Sequence, residues 1–416
     1  LDCLVKTDDF KRAEKIAKKA IKSTPDKLSL YINLANVYVA EGDLIETDKT
    51  YQEALKKISK DISYNQINNL GNSLINSNEL DYALIAYRKG KKIYPTRPEF
   101  EYRIANVYGI KGDTDLMIES YLDLAVKYPN YITMAKSQLS KRLKFDSEEF
   151  TESEPLRVAL LKRIQKTPDE QVYNELLVWY FIQIKDFDAA YVQVKAFDKK
   201  QRANGYLVLD FGRICFNNHA FNTAIKAFDY VIDLGKTNNF YQSAVVERLR
   251  TLNMKLIESN DYTKSDLITL KNDYISTINY LGKTHASVDL RLDLGKLMAF
   301  HLHDIDSAVN ILESALSIPG MNAQLKAWVK MNLADVLVFQ GDVWEASLYY
   351  SQVEKLFKEE PIGHEAKFRK ARIFYYEGDF GLAQSQLDVL KTSTSKLIAN
   401  DAFDLSLLIT DNLNLD

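Results

Sequence analysis

The stretch LANVYVAEGD at residues 34–43 and the stretch IANVYGIKGD at residues 104–113 are nearly the same and lie 70 residues apart. In both, apolar residues recur at helical spacing until a Gly-Asp pair ends the pattern, and glycine is favoured where a helix ends in a left-handed residue. A helix and its turn that recur in this way indicate a chain built from repeats. Repeats override the two or three globular domains that a length of 416 residues would otherwise suggest.

When the sequence is written in aligned rows of about 34 residues, the same residue types recur at the same position, or column, of each row. The rows that begin at residues 28, 64 and 98 place the small residues Ala35, Gly71 and Ala105 in column eight. Two of the rows close on Pro95 and Pro129, which are 34 residues apart. In each row, apolar residues recur at helical spacing in two segments that are separated by a turn. Each row therefore predicts a helix-turn-helix unit whose apolar faces only neighbouring units can bury.

This column pattern resembles the tetratricopeptide repeat (TPR), which places a bulky residue, Leu, a small residue, Tyr, Ala, an aromatic residue and Pro at set columns of a unit of about 34 residues. Further rows follow at residues 171–204 and 205–238, and matching columns return near Gly341 and Gly378. The resemblance covers about four fifths of the chain. It implies an all-α fold, a right-handed superhelical solenoid of helix-turn-helix repeats.

The rows divide the chain into five segments of one continuous solenoid. We expect half a repeat and three repeats in residues 1–131, an irregular helical hairpin in 132–170, two repeats in 171–238, a long helical hairpin in 239–287, and further repeats ending in a partial one in 288–416. The acidic stretch FDSEEFTESEP, residues 145–155, replaces the turn of the irregular hairpin. Near residues 301–304 the spacing slips by one, which leaves the register of that row open. Because the sequence begins without Met and ends in half a repeat, we expect a fragment of a longer chain.

A second, looser resemblance concerns the run LLKRIQKTPDEQVYNELLVWYFIQIKDF at residues 160–187, together with a bias towards Tyr, Lys, Asn and Ile. These features are similar to exported repeat proteins of Bacteroidota, some of which serve outer-membrane secretion and assembly machinery. The resemblance implies a periplasmic location and an outer-membrane-associated complex.

Composition excludes several classes of partner. A net charge of -3 and a pI near 6.1 give no electrostatic basis for nucleic-acid binding. No apolar run approaches the roughly 20 residues that a membrane-spanning helix requires, so we expect no direct membrane insertion. The two cysteines, Cys3 and Cys215, cannot form a disulfide framework and are compatible with a reducing or an oxidising compartment.

The sequence offers no catalytic or cofactor motif. No two of its 15 glycines are two, four or five residues apart, which excludes the GxGxxG, GxSxG and P-loop patterns. The two GKT triplets, at residues 235–237 and 282–284, therefore lack the upstream glycine of a phosphate loop. The histidine pair His301 and His303 would point apart on a helix, and His364 has no second histidine at helical spacing for zinc. We expect no enzyme, no metal and no cofactor.

The resemblance to tetratricopeptide repeats also implies where a partner binds. In that family the first helix of each unit lines a concave surface, and contacts come from columns two, five, nine and twelve. Column nine holds Asn36, Asn72 and Asn106 in three successive rows. A primary amide donates and accepts hydrogen bonds, so such a ladder could hold the backbone of an extended peptide. The alternative is that these amides bind water or a neighbouring helix.

Column five holds Ile32, Asn68 and Tyr102, where the family's carboxylate clamp carries lysines, so we do not expect a clamp for a C-terminal carboxylate. Asn68 and Tyr102 remain candidate partner contacts. Farther along the chain, column nine becomes Trp179, Arg213, Asp335 and Arg372. A partner that reaches these later rows would meet a different chemistry.

Three functions fit these observations. The leading hypothesis is a non-catalytic periplasmic scaffold of an outer-membrane-associated secretion or assembly complex, which binds other proteins or extended peptide segments across its curved surface. The alternative is a cytoplasmic co-chaperone or regulator that binds extended peptides through the asparagine-lined groove. A third is the non-catalytic arm of an enzyme whose active domain lies elsewhere. Fold analogy does not choose among them.

Overall fold

A computed structural model describes residues 2–145, 153–259, 262–392 and 395–413, and all regular elements in these ranges are helical. This confirms the predicted all-α class. The chain forms two compact units, an N-terminal unit (Leu1–Lys200) and a C-terminal unit (Gln201–Asp416). Most of the acidic stretch singled out in the sequence, residues 146–152, lies outside the described residues.

The helices of the N-terminal unit are α1 (Asp2–Lys6), α2 (Phe10–Ser23), α3 (Ser29–Glu41), α4 (Leu44–Lys57), α5 (Tyr64–Asn76), α6 (Leu80–Ile93), α7 (Pro98–Lys111), α8 (Thr114–Lys127), α9 (Ile132–Arg142), α10 (Glu154–Lys166), α11 (Gln171–Gln183) and α12 (Phe187–Gln201). A short 3-10 turn, Pro129–Tyr131, separates α8 from α9.

The helices of the C-terminal unit are α13 (Tyr206–Asn217), α14 (Phe221–Asp233), α15 (Tyr241–Ser259), α16 (Lys264–Leu281), α17 (Ala286–Lys296), α18 (Ile305–Leu316), α19 (Ala323–Gln340), α20 (Val343–Leu356), α21 (Pro361–Tyr376), α22 (Phe380–Leu390) and α23 (Lys396–Leu413). A π-helical turn, Leu297–His301, follows α17 directly.

Consecutive helices pack in pairs, and the pairs have the dimensions of tetratricopeptide repeats. The helices from α3 to α8 are 13 or 14 residues long. The first helices of these three hairpins begin at residues 29, 64 and 98, which are 35 and then 34 residues apart. Helix α3 also contacts α5, and α4 contacts α6, so the hairpins stack side by side within the unit. These contacts confirm a TPR-like solenoid of helical hairpins.

The small residue in column eight allows the two helices of a hairpin to approach closely. A Cβ atom on Gly71 would overlap the ring of Tyr87, and one on Gly212 would lie 2.5 Å from Cε1 of Phe228. The rings of Tyr87 and Phe228 are fully buried. The contacts confirm that this column is structural, because each glycine leaves the space that an aromatic ring of the second helix fills.

The turn inside each hairpin requires a left-handed residue, and only some rows use glycine for it. Gly42 (φ 86°) and Gly112 (φ 83°) end α3 and α7 as their sequences predict. The equivalent turns use Asn78 (φ 61°), Lys185 (φ 59°) and His219 (φ 59°) instead. Residues other than Gly, Asn and Asp are strained in this conformation. Glycine therefore marks only part of the turns in this chain.

The π-helical turn explains the one-residue slip in the sequence pattern. The backbone N–H of Leu302 donates to the carbonyl of Leu297 at 3.1 Å, and that of Asp304 donates to Met298 at 2.9 Å. A π turn accommodates one extra residue in a helix. As a result, the left-handed turn residue of this row is His303 (φ 56°), one position later than in the other rows.

None of the described helices combines the length and the apolar character that crossing a membrane requires. The division into five segments and the continuity of the solenoid along the whole chain stay predictions.

Candidate partner-binding surfaces

The three asparagines of column nine lie at the same position of α3, α5 and α7. Asn36 is exposed, whereas Asn72 and Asn106 are partly buried. The Oδ1 atom of Asn72 accepts a hydrogen bond from the hydroxyl of Tyr87 at 2.8 Å. The Oδ1 atom of Asn106 accepts one from Nη2 of Arg142, also at 2.8 Å. Two of the three carbonyls are therefore used inside the protein, and these two side chains offer a partner mainly their N–H donors.

Arg142 is a residue that the column pattern did not single out. It lies at the end of α9 and reaches back to α7, where a Cβ atom on Gly109 would lie 2.6 Å from its Nε. That Nε is buried and has no hydrogen-bond partner in the described part of the chain. Gly109 lies on the first helix of its row, and its small size is the feature of the sequence that indicates close packing of a side chain at this point.

The two column-five candidates differ in what they offer. The Oδ1 atom of Asn68 is buried and has no partner among the described residues. The ring of Tyr102 is partly buried and packs against Tyr121, with the ring centroids 6.3 Å apart. Asn68 thus retains an unused acceptor, whereas Tyr102 contributes to the packing of its hairpin.

Trp179 and Arg213 belong to different units. Trp179 lies on α11 in the N-terminal unit, where its ring packs edge-on against Phe145 at 5.6 Å. Arg213 lies on α13 in the C-terminal unit and donates from Nε to Oε1 of Glu247 at 3.2 Å. The charge of Arg213 is therefore already paired.

A cavity of about 390 Å³ lies along α19 and α21 beside the π turn of the C-terminal unit. The aromatic side chains Phe300, Phe339 and Tyr376 line it, and they are 38%, 48% and 65% exposed. The Phe300 and Phe339 rings meet edge to face with centroids 5.3 Å apart. Exposed aromatic residues that line a cavity are typical of surfaces that bind a partner.

The charged groups at the base of this cavity pair with one another. Asp335, the column-nine residue of α19, accepts a hydrogen bond from the hydroxyl of Tyr350 at 2.6 Å and forms an ion pair with Arg369. Arg369 also donates from Nε to Oε1 of Glu365 at 2.8 Å. Burial raises the pKa of Tyr350 above its usual range, so its hydroxyl stays protonated and donates. Nothing in the column pattern connects these residues.

Arg372 is the column-nine residue of α21, and it is the exposed cation of the same cavity. It donates to the hydroxyl of Tyr376 at 3.2 Å and lies over that ring at 5.8 Å. It pairs with no carboxylate in the ranges that the structure describes. Its charge is therefore open to a partner.

A second cavity, of about 530 Å³, lies between α15, α17 and α19 in the same unit. Its lining includes the exposed apolar side chains Met254, Ile257 and Trp328. Helix α19 contributes to both cavities, with Trp328 near its start and Phe339 near its end. The first helices of successive hairpins thus carry two neighbouring depressions. Within the described residues, no group of three or more His, Cys, Asp or Glu side chains is placed to hold a metal ion.

No protein-family model and no curated protein matches the sequence. Among solved structures, the chain is similar to the Cut9–Hcn1 hetero-tetramer of the APC/C, with a TM-score of 0.38, 13% identity, and coverage of 98% of this chain and 95% of that chain. It is similar to yeast Tom70, with a TM-score of 0.40, 12% identity, and coverage of 91% and 96%. It is also similar to a kinesin light chain with TPR-like repeats from Podospora anserina, with a TM-score of 0.36, 15% identity, and coverage of 45% and 92%. The class of this protein rests on its own hairpins: it is an all-α protein of TPR-like repeats.

Proposed function

We propose that the protein is a non-catalytic interaction scaffold that binds extended segments of other proteins along the first helices of its hairpins. The observation that carries this proposal is the pair of neighbouring cavities on α19, whose walls expose Trp328, Phe339 and Tyr376 to solvent. Aromatic and arginine side chains dominate the energetics of protein interfaces. Both cavities are lined mainly by first helices, which favours this face over the second helices.

The chemistry of the first cavity fits a partner side chain better than a reaction. Asp335, Arg369 and Glu365 are held by one another, so none of them is poised as a general acid or base. The walls are aromatic, and the exposed cation is Arg372. An extended segment with an apolar residue close to a carboxylate would satisfy both the walls and this guanidinium.

In the N-terminal unit, the proposal assigns the partner's backbone to the asparagine ladder. Asn36 can donate and accept, whereas Asn72 and Asn106 offer mainly their N–H donors, because each carbonyl already accepts one hydrogen bond. Such hydrogen bonds are made to the partner's main chain, so they depend little on the partner's side chains.

The proposal includes a location, which rests on the similarity of residues 160–187 to exported repeat proteins. The scaffold is periplasmic and belongs to an outer-membrane-associated secretion or assembly complex. Fractionation of cells of the native organism, with an antibody against the chain, tests this part. Recovery in the cytoplasmic fraction would overturn the periplasmic location and would favour a cytoplasmic peptide-binding regulator.

Site-specific photo-crosslinking tests the binding surface. A photoreactive phenylalanine analogue replaces Phe339 or Trp328 on α19, and in a control it replaces Leu348, an exposed apolar residue of α20. We expect a protein partner to be captured in cells from the two α19 positions and identified by mass spectrometry. Capture from Leu348 alone would place the binding surface on the second helices. Absence of any protein adduct at all three positions would contradict the scaffold proposal.

A further inference from the structure

Two polar side chains from adjacent repeats meet at the second cavity of the C-terminal unit. Asp293 on α17 and Asn332 on α19 occupy the same column of successive rows, and both line the cavity of about 530 Å³. Helices α17 and α19 are in direct contact. The repeat geometry therefore places a carboxylate and an amide in the lining of one cavity, on the face that the proposed function assigns to partners.

The carboxylate of Asp293 is partly buried and has no hydrogen bond or ion pair among the described residues. Burial raises its pKa, while Arg250 and Lys296, which also line the cavity, oppose that shift. Arg250 is engaged, because its Nη2 donates to Oδ2 of Asp289 at 2.6 Å. Lys296 is exposed and forms no ion pair in the described ranges. Asp293 thus lacks the direct cationic partner that a partly buried carboxylate requires.

The orientation of the Asn332 amide follows from its own hydrogen bond. Asn332 is only 6% exposed, and its Nδ2 donates to the backbone carbonyl of Trp328 at 2.7 Å. Because a carbonyl only accepts, the atom that faces it must be the nitrogen. The Oδ1 atom is therefore left over, and it has no partner in the described part of the chain. A side chain that is more than nine-tenths buried thus presents an unpaired acceptor at the cavity.

The apolar part of the remaining wall fits the stem of a long side chain. Met254, Ile257 and Trp328 are exposed apolar residues of the lining, and Leu292 adds a further apolar contact. Aliphatic stems of Lys and Arg pack along such surfaces while their charged ends meet polar groups. The indole of Trp328 is also the aromatic ring on which a cation is most stable.

We propose that this cavity binds a basic side chain, Lys or Arg, of the partner segment, with Asp293 and Asn332 Oδ1 as the acceptors for its charged end. This inference rests on the proposed function and adds the chemistry of the partner to it. Both acceptors lack donors, and a guanidinium or ammonium group carries donors only. Arginine fits best, because its planar fork can donate to both residues while its stem lies along the apolar wall.

Selection of peptides from a random displayed library tests the inference with the whole chain as bait. We expect the wild-type selection to converge on peptides with one fixed basic position, and the selection on Asp293→Asn to lose that preference. A selected peptide is then synthesised with Arg and with citrulline, which keeps the shape and removes the charge. Titration calorimetry should show at least about tenfold weaker binding for citrulline with the wild type, and little difference with Asp293→Asn.

The control variant is Asp404→Asn, which neutralises an exposed aspartate on α23 of the same unit. It should bind as the wild type does, and thermal melts should show that both variants fold. Peptides that bind without a basic residue, or that bind Asp293→Asn and wild type equally, would overturn the inference and leave the scaffold proposal intact. A selection that yields no binding peptide would contradict the proposed function as well.

Discussion

The hydroxyl of Tyr87 donates to Oδ1 of Asn72, the residue fifteen positions before it, at a distance of 2.8 Å. The C-terminal unit repeats this bond between Tyr350 and Asp335, again fifteen positions apart, at 2.6 Å. In both hairpins, a buried tyrosine of the second helix meets column nine of the first helix. The column that the sequence assigns to partners therefore also ties the two helices of a hairpin together.

The first prediction separates these two roles. Asn72→Ala removes the acceptor of a buried tyrosine hydroxyl and should lower the free energy of unfolding by about 1 to 3 kcal/mol. Asn36→Ala should leave stability nearly unchanged, because Asn36 is exposed and its side chain forms no hydrogen bond with the described residues. Thermal and urea melts of both variants make the comparison. The double variant Tyr87→Phe with Asn72→Ala should lose less than the sum of its parts, and equal losses for Asn36→Ala and Asn72→Ala would contradict this assignment.

The second prediction concerns the space beside Gly71. A side chain at this position would overlap the ring of Tyr87, so Gly71→Leu should destabilise the protein by about 1 to 3 kcal/mol, the usual effect of overpacking. Gly381→Ala is the matched control: Gly381 lies in α22, and a Cβ atom there would meet nothing within 4 Å. That change should stabilise the protein by up to about 1 kcal/mol through helix propensity. A melting temperature that stays constant in Gly71→Leu would place Gly71 away from the helix contact.

The third prediction concerns a buried arginine. Arg291 is 8% exposed, and the hydrogen bond that its guanidinium forms is to Oγ of Ser314 at 2.8 Å. Its Nε has no partner among the described residues, and burial lowers its pKa. Arg291→Met should therefore raise the free energy of unfolding by about 1 kcal/mol, because it removes a desolvated charge and keeps the bulk of the side chain. Arg291→Lys, which retains the charge, should not stabilise. A destabilised methionine variant would show that the bond to Ser314 outweighs the burial of charge.

Periodic features of this chain could be predicted from its sequence, because they recur. Small residues in column eight and the Gly-Asp turns appear in several rows. Each has a structural role within a single hairpin, so its position in one row is enough to interpret it. The π turn after α17 was visible in the sequence only as a one-residue shift in the repeat spacing. Its hydrogen bonds depend on backbone geometry, which no particular residue type indicates. Left-handed turns at Lys185 and His219 carry no glycine signal.

The candidate binding surfaces were less predictable than the fold, because their chemistry depends on contacts between helices and between rows. Column nine identified Asn72 and Asn106, yet the sequence did not indicate that Tyr87 and Arg142 occupy their carbonyls. The bond from Arg142 to Asn106 spans 36 residues and therefore joins two successive rows rather than the two helices of one hairpin. Such hydrogen-bond partners are determined by how the helices pack in three dimensions. The column positions of a single sequence do not show this packing.

The fourth prediction uses pH to test the burial of Asp293. Its pKa is raised by burial above the ordinary value of 3.8, so ionisation is more costly in the folded state than in the unfolded state. The wild type therefore loses stability as pH rises from about 4 through the folded-state pKa, and at lower pH the carboxyl is protonated in both states. Asp293→Asn cannot ionise and escapes this loss. Its melting temperature should match that of the wild type near pH 4 and exceed it at pH 8.

The control for this comparison is again Asp404→Asn, whose exposed carboxyl should give no such pH-dependent difference. A difference between Asp293→Asn and wild type that is constant from pH 4 to pH 8 would mean that the carboxylate is not desolvated. The same melts at pH 8 with a saturating arginine-containing peptide from the selection should reverse the order of the two proteins. A bound cation supplies the partner that the carboxylate lacks, and ligand binding to the folded state raises the melting temperature of the wild type more than that of the weaker-binding variant.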